Sequence, residues 1–146
     1  MLKKILMPKL FPVEIDAALL VLRIGAGVTL FLRHGVEKIV GFSLTSTHGS
    51  DPIHIGPIPT RMIAFLSDSV LSLLVALGLV TRGCALFIFC NVFVAWAFVL
   101  HFPFFGAPGY RGEIIVLYLT ITTTLFLAGG GRFSLDYLLT RDRSPR

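Results

Sequence analysis

The chain has 146 residues, of which 55% are hydrophobic and only 14% are charged, and its mean hydropathy is +0.85. A soluble domain of this length carries about a quarter charged residues, so the composition excludes an ordinary soluble domain and indicates an integral membrane protein with one compact domain. The net charge of +5 comes from basic residues at the ends of apolar stretches, which is typical of a membrane protein and is no signature of nucleic-acid binding.

The chain begins with a basic arm, residues 1–15, which we expect to contact anionic headgroups. No cleavable signal peptide is expected, because Pro8 and Lys9 interrupt any apolar core. A first membrane span is predicted at about residues 16–35, since roughly 20 residues at 1.5 Å each match a ~30 Å hydrocarbon core.

Charged residues lie within and at the end of this first span. Arg23 interrupts the apolar run, and Arg33, His34, Glu37 and Lys38 follow at its far end. A charge inside a span costs roughly 2.5–3.5 kcal/mol on insertion scales, so it usually faces a partner or a wet cavity. The sequence therefore predicts that other spans supply partners for these side chains.

A second span is predicted at about residues 62–80, after an extramembrane loop at 43–60 that is rich in Pro and Gly. Asp68 lies inside this span. Residues 81–83 are predicted to form a tight polar turn. A third span follows at about residues 84–102, with Asn91 near its middle and His101 at its end.

The fourth span is predicted at about residues 113–128, with Glu113 at its start and three glycines at its end. Four neighbouring threonine hydroxyls in it are expected to bond the backbone or to lie at helix contacts rather than to form a relay: Thr120, Thr122, Thr123 and Thr124. Ser134 is predicted to cap a short C-terminal interfacial helix.

These elements predict an all-α protein, a bundle of four transmembrane helices with both termini on one side. Eight basic residues then lie on the side of the termini and four on the other, which favours cytoplasmic termini. In that topology every span brings an ionisable group to one layer near the outer surface, with Arg23 lower but long enough to reach toward it.

Two interpretations of this layer remain open. The groups could neutralise one another, Asp68 with Arg23 or Arg33 and Glu113 with a histidine or Lys38, and so fix helix register. Alternatively they could line a polar pocket for a quinone headgroup, a small polar solute or protons. The candidate pocket residues are Arg23, His34, Lys38, Asp68, His101 and Glu113.

Other motifs are weaker. His48, Asp51 and His54 offer metal-ligand types in the first loop, but their spacing matches no closed structural site, and no metal site is predicted. Cys84 and Cys90 are expected on different faces of one helix, which excludes a disulfide between them. No nucleophile, base and orienting group come together as a hydrolase requires, so catalytic residues are not assigned.

The order of several motifs resembles the DoxX family. The segment His34-Gly35-x-x-Lys38, the turn after span two and the terminal Gly130 to Asp136, read as GGRFSLD, carry the resemblance, which extends over nearly all of residues 16–139. Asp68 stands where the resemblance leads us to expect a glutamate.

The resemblance implies a small four-helix protein of the bacterial inner membrane, and some family members are membrane subunits of quinone-linked oxidoreductases. The sequence is thus interpreted as an accessory subunit that couples a quinone- or sulfur-linked redox reaction to the membrane. The alternatives are a small transporter of polar solutes and a structural scaffold. No flavin, haem or iron–sulfur motif is present, so electrons would have to come from a partner protein. No covalently bound cofactor is expected, and a quinone is the candidate cofactor. Whether the chain is itself an enzyme and whether it forms homo-oligomers stay open.

Overall fold

The computed structural model describes residues 12–41, 51–102 and 112–141. Within these ranges the chain forms helices and turns and no strand, which confirms the all-α prediction. The basic N-terminal arm before residue 12 and most of the first loop lie outside the described residues.

Helix α1 comprises an α-helix at Pro12–Leu30, a π-helical turn at Phe31–Gly35 and a last α-helical turn at Val36–Val40. Pro12 has no N–H to lose in the first helical turn, and Glu14 complements the partial positive charge of that end. The helix extends beyond the predicted 16–35 at both ends, so the charged segment that follows Arg23 belongs to one continuous helix.

Helix α2 begins at Pro57–Phe65, continues through a π-helical segment at Leu66–Leu71 and finishes as an α-helix at Ser72–Leu77. It stops at Gly78, which has a φ of 75° that a side chain would disfavour. Because it starts five residues before the predicted span, Asp68 lies 11 residues along the helix, about 16 Å from its start.

Helix α3 is α-helical at Thr81–Val94 and π-helical at Ala95–Val99. The turn between α2 and α3 therefore lies at residues 78–80, and the residues predicted as a turn, 81–83, form the first turn of α3 instead. Gly78 supplies the left-handed conformation that reverses the chain. Helix α3 can then start at Thr81, because its first N–H groups have an acceptor.

Helix α4, Gly112–Ala128, ends where Gly129 takes a φ of 80°. Its threonine hydroxyls donate to carbonyl oxygens one turn back, for example Thr122 to Tyr118 at 2.7 Å, which confirms the expectation of backbone-bonded threonines. The short helix α5, Leu135–Arg141, follows. The hydroxyl of Ser134 accepts the N–H of Tyr137 at 3.2 Å, as the predicted cap requires.

Within the described residues, three helical segments are long and apolar enough to cross a membrane: Val13–Val40, Pro57–Leu77 and Thr81–Val99. Helix α4 is equally apolar and has 17 residues. Large apolar side chains such as Val21 and Leu127 are about 70% exposed on these helices. Exposed apolar surface of this extent is stable only against lipid or another protein, so the chain is a multi-pass membrane protein.

Helix α1 packs against α2, and α3 packs against α4. Small residues allow α1 and α2 to approach closely. An added Cβ at Gly27 would lie 2.9 Å from the Ala76 Cβ, and one at Gly35 would lie 2.6 Å from the carbonyl oxygen of Asp68. Close backbone approach of this kind is typical of helix pairs in membranes. A small apolar core fills the centre: Leu30, Val75, Cys84, Ala85, Ile88 and Leu125.

Candidate functional site

The buried carboxylate of Asp68 is the centre of a polar network between α1, α2 and α3. Asp68 is 6% exposed. Its Oδ2 forms an ion pair with Nζ of Lys38, and the same ammonium donates to the carbonyl oxygen of Ala64 at 3.3 Å. The Lys38 side chain is one-third exposed, so this cation links a buried anion to the end of the bundle. We call this region the Lys38 end.

Asn91 of α3 completes the network. Its Nδ2 donates to Oδ1 of Asp68 at 3.4 Å, so both carboxylate oxygens have a donor on a different helix. Ser69, next to Asp68, donates to the carbonyl oxygen of Gly35 on α1 at 3.2 Å. Three helices are thus joined by polar contacts around the buried Asp68 carboxylate, where a low local dielectric constant strengthens hydrogen bonds.

The described part of the chain has three π-helical segments: those of α1 and α3 lie in the half of the helix toward the Lys38 end, and that of α2 lies near its middle. The segment Leu66–Leu71 carries Asp68 and packs against both Phe31–Gly35 of α1 and the α-helical part of α3. A π-helical turn widens the helix and rotates the residues beyond it, and such turns are frequent at functional sites. The three irregular segments therefore mark this half of the molecule as the candidate site.

An apolar cavity of about 470 Å³ lies beside the network, between α2, α3 and the turn that precedes α2. Ile63, Ala64 and Val94 are among the aliphatic residues of its wall, and Asn91 also lines it. Asn91 and Ala64 therefore belong both to the polar network and to the cavity wall, and the Asn91 amide contacts the Asp68 carboxylate directly. The cavity volume is in the range of pockets that hold small organic ligands.

Asp51 organises the turn that lines one side of this cavity. Its carboxylate accepts the N–H of Gly56 at 2.8 Å, the hydroxyl of Thr60 at 2.9 Å and the N–H of Ile55 at 3.1 Å. Partial desolvation opposes ionisation, but these three donors and the nearby His54 together hold the pKa of Asp51 below its usual value. Asp51 thus has a structural role here, and His48 of the H-x-x-D-x-x-H motif lies outside the described residues.

Arg23 lies far from this network. It is 1% exposed, and its Nη2 donates to the carbonyl oxygen of Phe133, just before α5. Its Nε and Nη1 are buried without a hydrogen-bond partner among the described residues. Fifteen residues, roughly 22 Å of helix, separate it from Lys38. Arg23 therefore belongs to the opposite end of the bundle, which we call the Arg23 end.

The C-terminal segment, residues 129–141, closes the Arg23 end through Asp136. The Asp136 carboxylate accepts the N–H of Val80 at 2.7 Å, and the N–H and hydroxyl of Thr81 at 2.8 and 2.9 Å. It caps α3 and offsets part of the Arg23 charge. In return its own N–H donates to the carbonyl oxygen of Gly78 at 2.9 Å.

Gly78 is required at this junction for two reasons. Its φ is 75°, and an added Cβ would overlap the Arg23 guanidinium and lie 2.7 Å from the Cβ of Ser134. The terminal GGRFSLD motif and the turn after α2 are therefore one structural unit that encloses the Arg23 side chain.

The six predicted pocket residues thus separate into different places. Lys38 and Asp68 form an ion pair, whereas Arg23 lies at the other end, so the partner of Asp68 is neither Arg23 nor Arg33. The other three predicted residues are His34, His101 and Glu113. They are exposed and lie at the ends of α1, α3 and α4. Among the described residues they make no ion pair with Asp68 or Lys38.

The structure adds two residues that the sequence interpretation did not assign to the site. Asn91 bridges the cavity and Asp68, and Asp136 stabilises the Arg23 end. Asn91 is the chain's single asparagine and lies inside an apolar helix, where a polar side chain is costly unless it is bonded. That cost is a signal that could have identified it. No comparable signal distinguishes Asp136 from an ordinary acidic residue in a first helical turn.

The fold and the site together define a class: a helical, multi-pass membrane protein with a Lys–Asp ion pair beside a mostly apolar cavity. The family model DoxX matches residues 18–101, which include the whole Lys38–Asp68–Asn91 network, and the chain belongs to the DoxX family. No curated protein and no solved structure matches the chain.

Proposed function

We propose that this DoxX protein binds an isoprenoid quinone or a similar ring-bearing amphiphile in the cavity between α2 and α3. In this role it serves as an accessory membrane subunit of a redox system. The observation that carries the proposal is a mostly apolar cavity of about 470 Å³ whose polar lining residues include Thr60, Arg61 and Asn91, with Asn91 in contact with Asp68.

The chemistry of the lining favours an amphiphile over a hydrophilic solute. Residues of the wall such as Ile63, Val94 and Val99 offer no hydrogen bonds, and transferring a polar solute from water to such a wall is costly. A quinone ring with an alkyl tail satisfies this wall and places its oxygens near Asn91. Transport of a small polar solute is therefore the weaker alternative.

In this proposal four helices cross the bacterial cytoplasmic membrane, with both termini in the cytoplasm and the Lys38 end toward the outside. Helix α4 supplies the fourth crossing. The electrons come from a partner protein, since the chain has no flavin, haem or iron–sulfur motif. The protein's own contribution is to hold the amphiphile at a fixed depth.

Ligand binding can be tested with the single tryptophan, Trp96, which neighbours the cavity residue Ala95. A short-chain alkyl benzoquinone is titrated into the protein in lipid nanodiscs while Trp96 fluorescence is recorded. We expect saturable quenching. Val94→Phe fills part of the cavity and should weaken binding at least tenfold, whereas Val70→Phe, on an exposed face of α2, should not.

Quenching that never saturates, and that is equal in both variants at the same quinone content of the lipid, would disprove binding in the cavity.

The redox role has its own test. The tagged protein is purified in mild detergent from its native membranes, and the co-purifying complex is assayed for quinone reduction. A lone protein with no partner and no quinone activity would contradict the accessory role while leaving the binding result intact.

A further inference from the structure

A second cavity, of about 560 Å³, lies at the Arg23 end and is lined mostly by polar residues and glycines. Its wall comes from Asp16 near the start of α1, Arg82 at the start of α3, the turn 129–131 after α4 and part of the segment 132–140. We call it the Arg82 cavity. The ends of apolar spans lie at the level of the lipid headgroups, so this cavity is placed where the phosphate groups of phospholipids are most abundant.

Arg132 of this cavity is oriented by Asp16. The backbone N–H of Arg132 donates to Oδ1 of Asp16 at 3.0 Å, and the side-chain Nε of Arg132 lies 3.5 Å from Oδ2. The Arg132 side chain is nevertheless more than half exposed. Within the described ranges its two Nη groups make no hydrogen bond, so the outer edge of the guanidinium is left for an anion.

Arg82 is the second cation of the lining. Its side chain lies across Gly129, where an added Cβ would be 3.4 Å from the Arg82 Nε. Its Nη2 donates to the carbonyl oxygen of Leu127 at 3.2 Å. A guanidinium has five N–H donors, and those of Arg82 make no further hydrogen bond to the residues that the structure describes. Arg82 is thus positioned by α4 and still has donors to offer.

The Arg82 cavity is electropositive although two aspartates also line it. Asp16 is paired with Arg132. The Asp136 carboxylate is occupied by three donors from Val80 and Thr81. It is also close enough to the buried Arg23 guanidinium to attract it. Three cations therefore stand against two carboxylates, and the positive charge in excess is the one on Arg82, which makes no ion pair within the described part of the chain.

Large apolar side chains surround this polar cavity. Leu127, Phe133 and Leu138 are each more than half exposed, and they are neighbours along the chain or hydrogen-bond partners of the lining residues. A soluble anion would leave this apolar surface uncovered, whereas the acyl chains of a lipid cover it. The combination of exposed guanidinium groups with apolar surroundings matches an anionic amphiphile.

We infer that the Arg82 cavity binds one anionic phospholipid, whose phosphate accepts hydrogen bonds from the guanidinium groups of Arg82 and Arg132. Charge-assisted bonds of this kind are among the stronger hydrogen bonds, and the forked guanidinium suits a phosphate. The bound lipid joins the start of α3 to the C-terminal segment that encloses Arg23. This site lies at the opposite end of the bundle from the quinone cavity and is independent of it.

Lipid binding is tested on the full chain by native mass spectrometry, in which the protein is titrated in detergent with one lipid at a time. Dioleoyl phosphatidylglycerol has one net negative charge, and dioleoyl phosphatidylcholine has the same acyl chains and phosphate but no net charge. We expect one phosphatidylglycerol per chain to bind about tenfold tighter, because the arginines repel the choline cation at short range. Millimolar inorganic phosphate should leave this affinity unchanged. Both results are measured on the unaltered chain and do not depend on whether any variant folds.

Variants then assign the preference to this cavity. Arg82→Gln should reduce the ratio of the two affinities to about threefold or less, and combining it with Arg132→Gln should reduce it to about one. Arg33→Gln removes the same charge from an exposed position at the Lys38 end and should keep the ratio. Melting curves followed by Trp96 fluorescence in detergent show whether each variant is folded.

Three results would overturn the inference. Equal binding of the two lipids by the unaltered chain would exclude a preference for anionic lipid. Displacement of phosphatidylglycerol by inorganic phosphate would assign the cavity to a soluble anion instead. An equal loss of preference in folded Arg33→Gln and Arg82→Gln would attribute the effect to overall charge rather than to the Arg82 cavity. Each of these results leaves quinone binding at the other end unaffected.

Discussion

Breaking the Lys38–Asp68 ion pair from one side should destabilise the protein by about 2–3 kcal/mol. At a contact distance of ~3 Å and an effective dielectric constant of ~20, the attraction is about 5 kcal/mol. Desolvation of Asp68, whose side chain is 9% exposed, offsets part of that. Among the described residues, Lys38→Met leaves this carboxylate with Asn91 as its remaining side-chain donor. Removal of one partner of a buried pair costs roughly 3–5 kcal/mol, and we expect less because Lys38 is one-third exposed.

A double-mutant cycle distinguishes a direct interaction between Lys38 and Asp68 from two independent losses of stability. Asp68→Asn removes the charge and keeps the shape, so combining it with Lys38→Met should restore stability relative to Lys38→Met alone. We expect a coupling free energy of at least about 1 kcal/mol. Unfolding in mixed detergent micelles, followed by Trp96 fluorescence, measures all three variants. Arg33→Met on the same helix is the matched control, since Arg33 is exposed. If the stability changes of the two single variants sum to that of the double variant within about 0.5 kcal/mol, Lys38 and Asp68 are not energetically coupled and the prediction is wrong.

Two further predictions concern the ends of the bundle. Gly78→Ala should lower the stability by several kcal/mol, because Gly78 has a φ of 75° and an added Cβ would overlap the Arg23 guanidinium. Gly25→Ala, where an added Cβ meets nothing within 4 Å, should be neutral or stabilising by up to about 1 kcal/mol. Equal melting temperatures for the two variants would contradict this account. The pKa of Asp51 is lower in the folded protein than in the unfolded chain. The ionised carboxylate should therefore contribute its full stabilisation above the unfolded-state pKa of about 3.9, and this stabilisation should be lost as the pH falls through the folded-state pKa. Melting temperature against pH, from about 6 to 2, should therefore decline less steeply for Asp51→Asn, and identical profiles would exclude the carboxylate as the cause.

The membrane class and the helical architecture followed from the sequence because they depend on composition and length alone. Apolar stretches of about 20 residues satisfy every backbone group only as helices in lipid, and this holds whichever neighbours they meet. Ser134 as a helix cap and the threonines of α4 as backbone-bonded hydroxyls were predictable for a similar reason. Their acceptors or donors lie within four residues along the chain.

The Arg23 assignment shows where such reasoning ends. Depth along a helix was read correctly as lower for Arg23 than for Lys38, but a long side chain can extend either way. What decides its direction is the carbonyl oxygen of Phe133, a residue 110 positions away. The choice of Lys38 as the partner of Asp68 depends likewise on the rotation of α1 and α2, to which their π-helical turns contribute.

The sequence by itself determined that this chain is a helical membrane protein of the DoxX type, since hydropathy and short motifs act locally. Only the tertiary structure decided which charges meet, that Asn91 links Asp68 to a cavity, and that the GGRFSLD motif encloses Arg23 rather than forming a separate tail. The physical reason is distance in the chain. Contacts between residues 23 to 110 positions apart depend on how helices rotate and cross, and those angles are set by side-chain packing across all the helices at once.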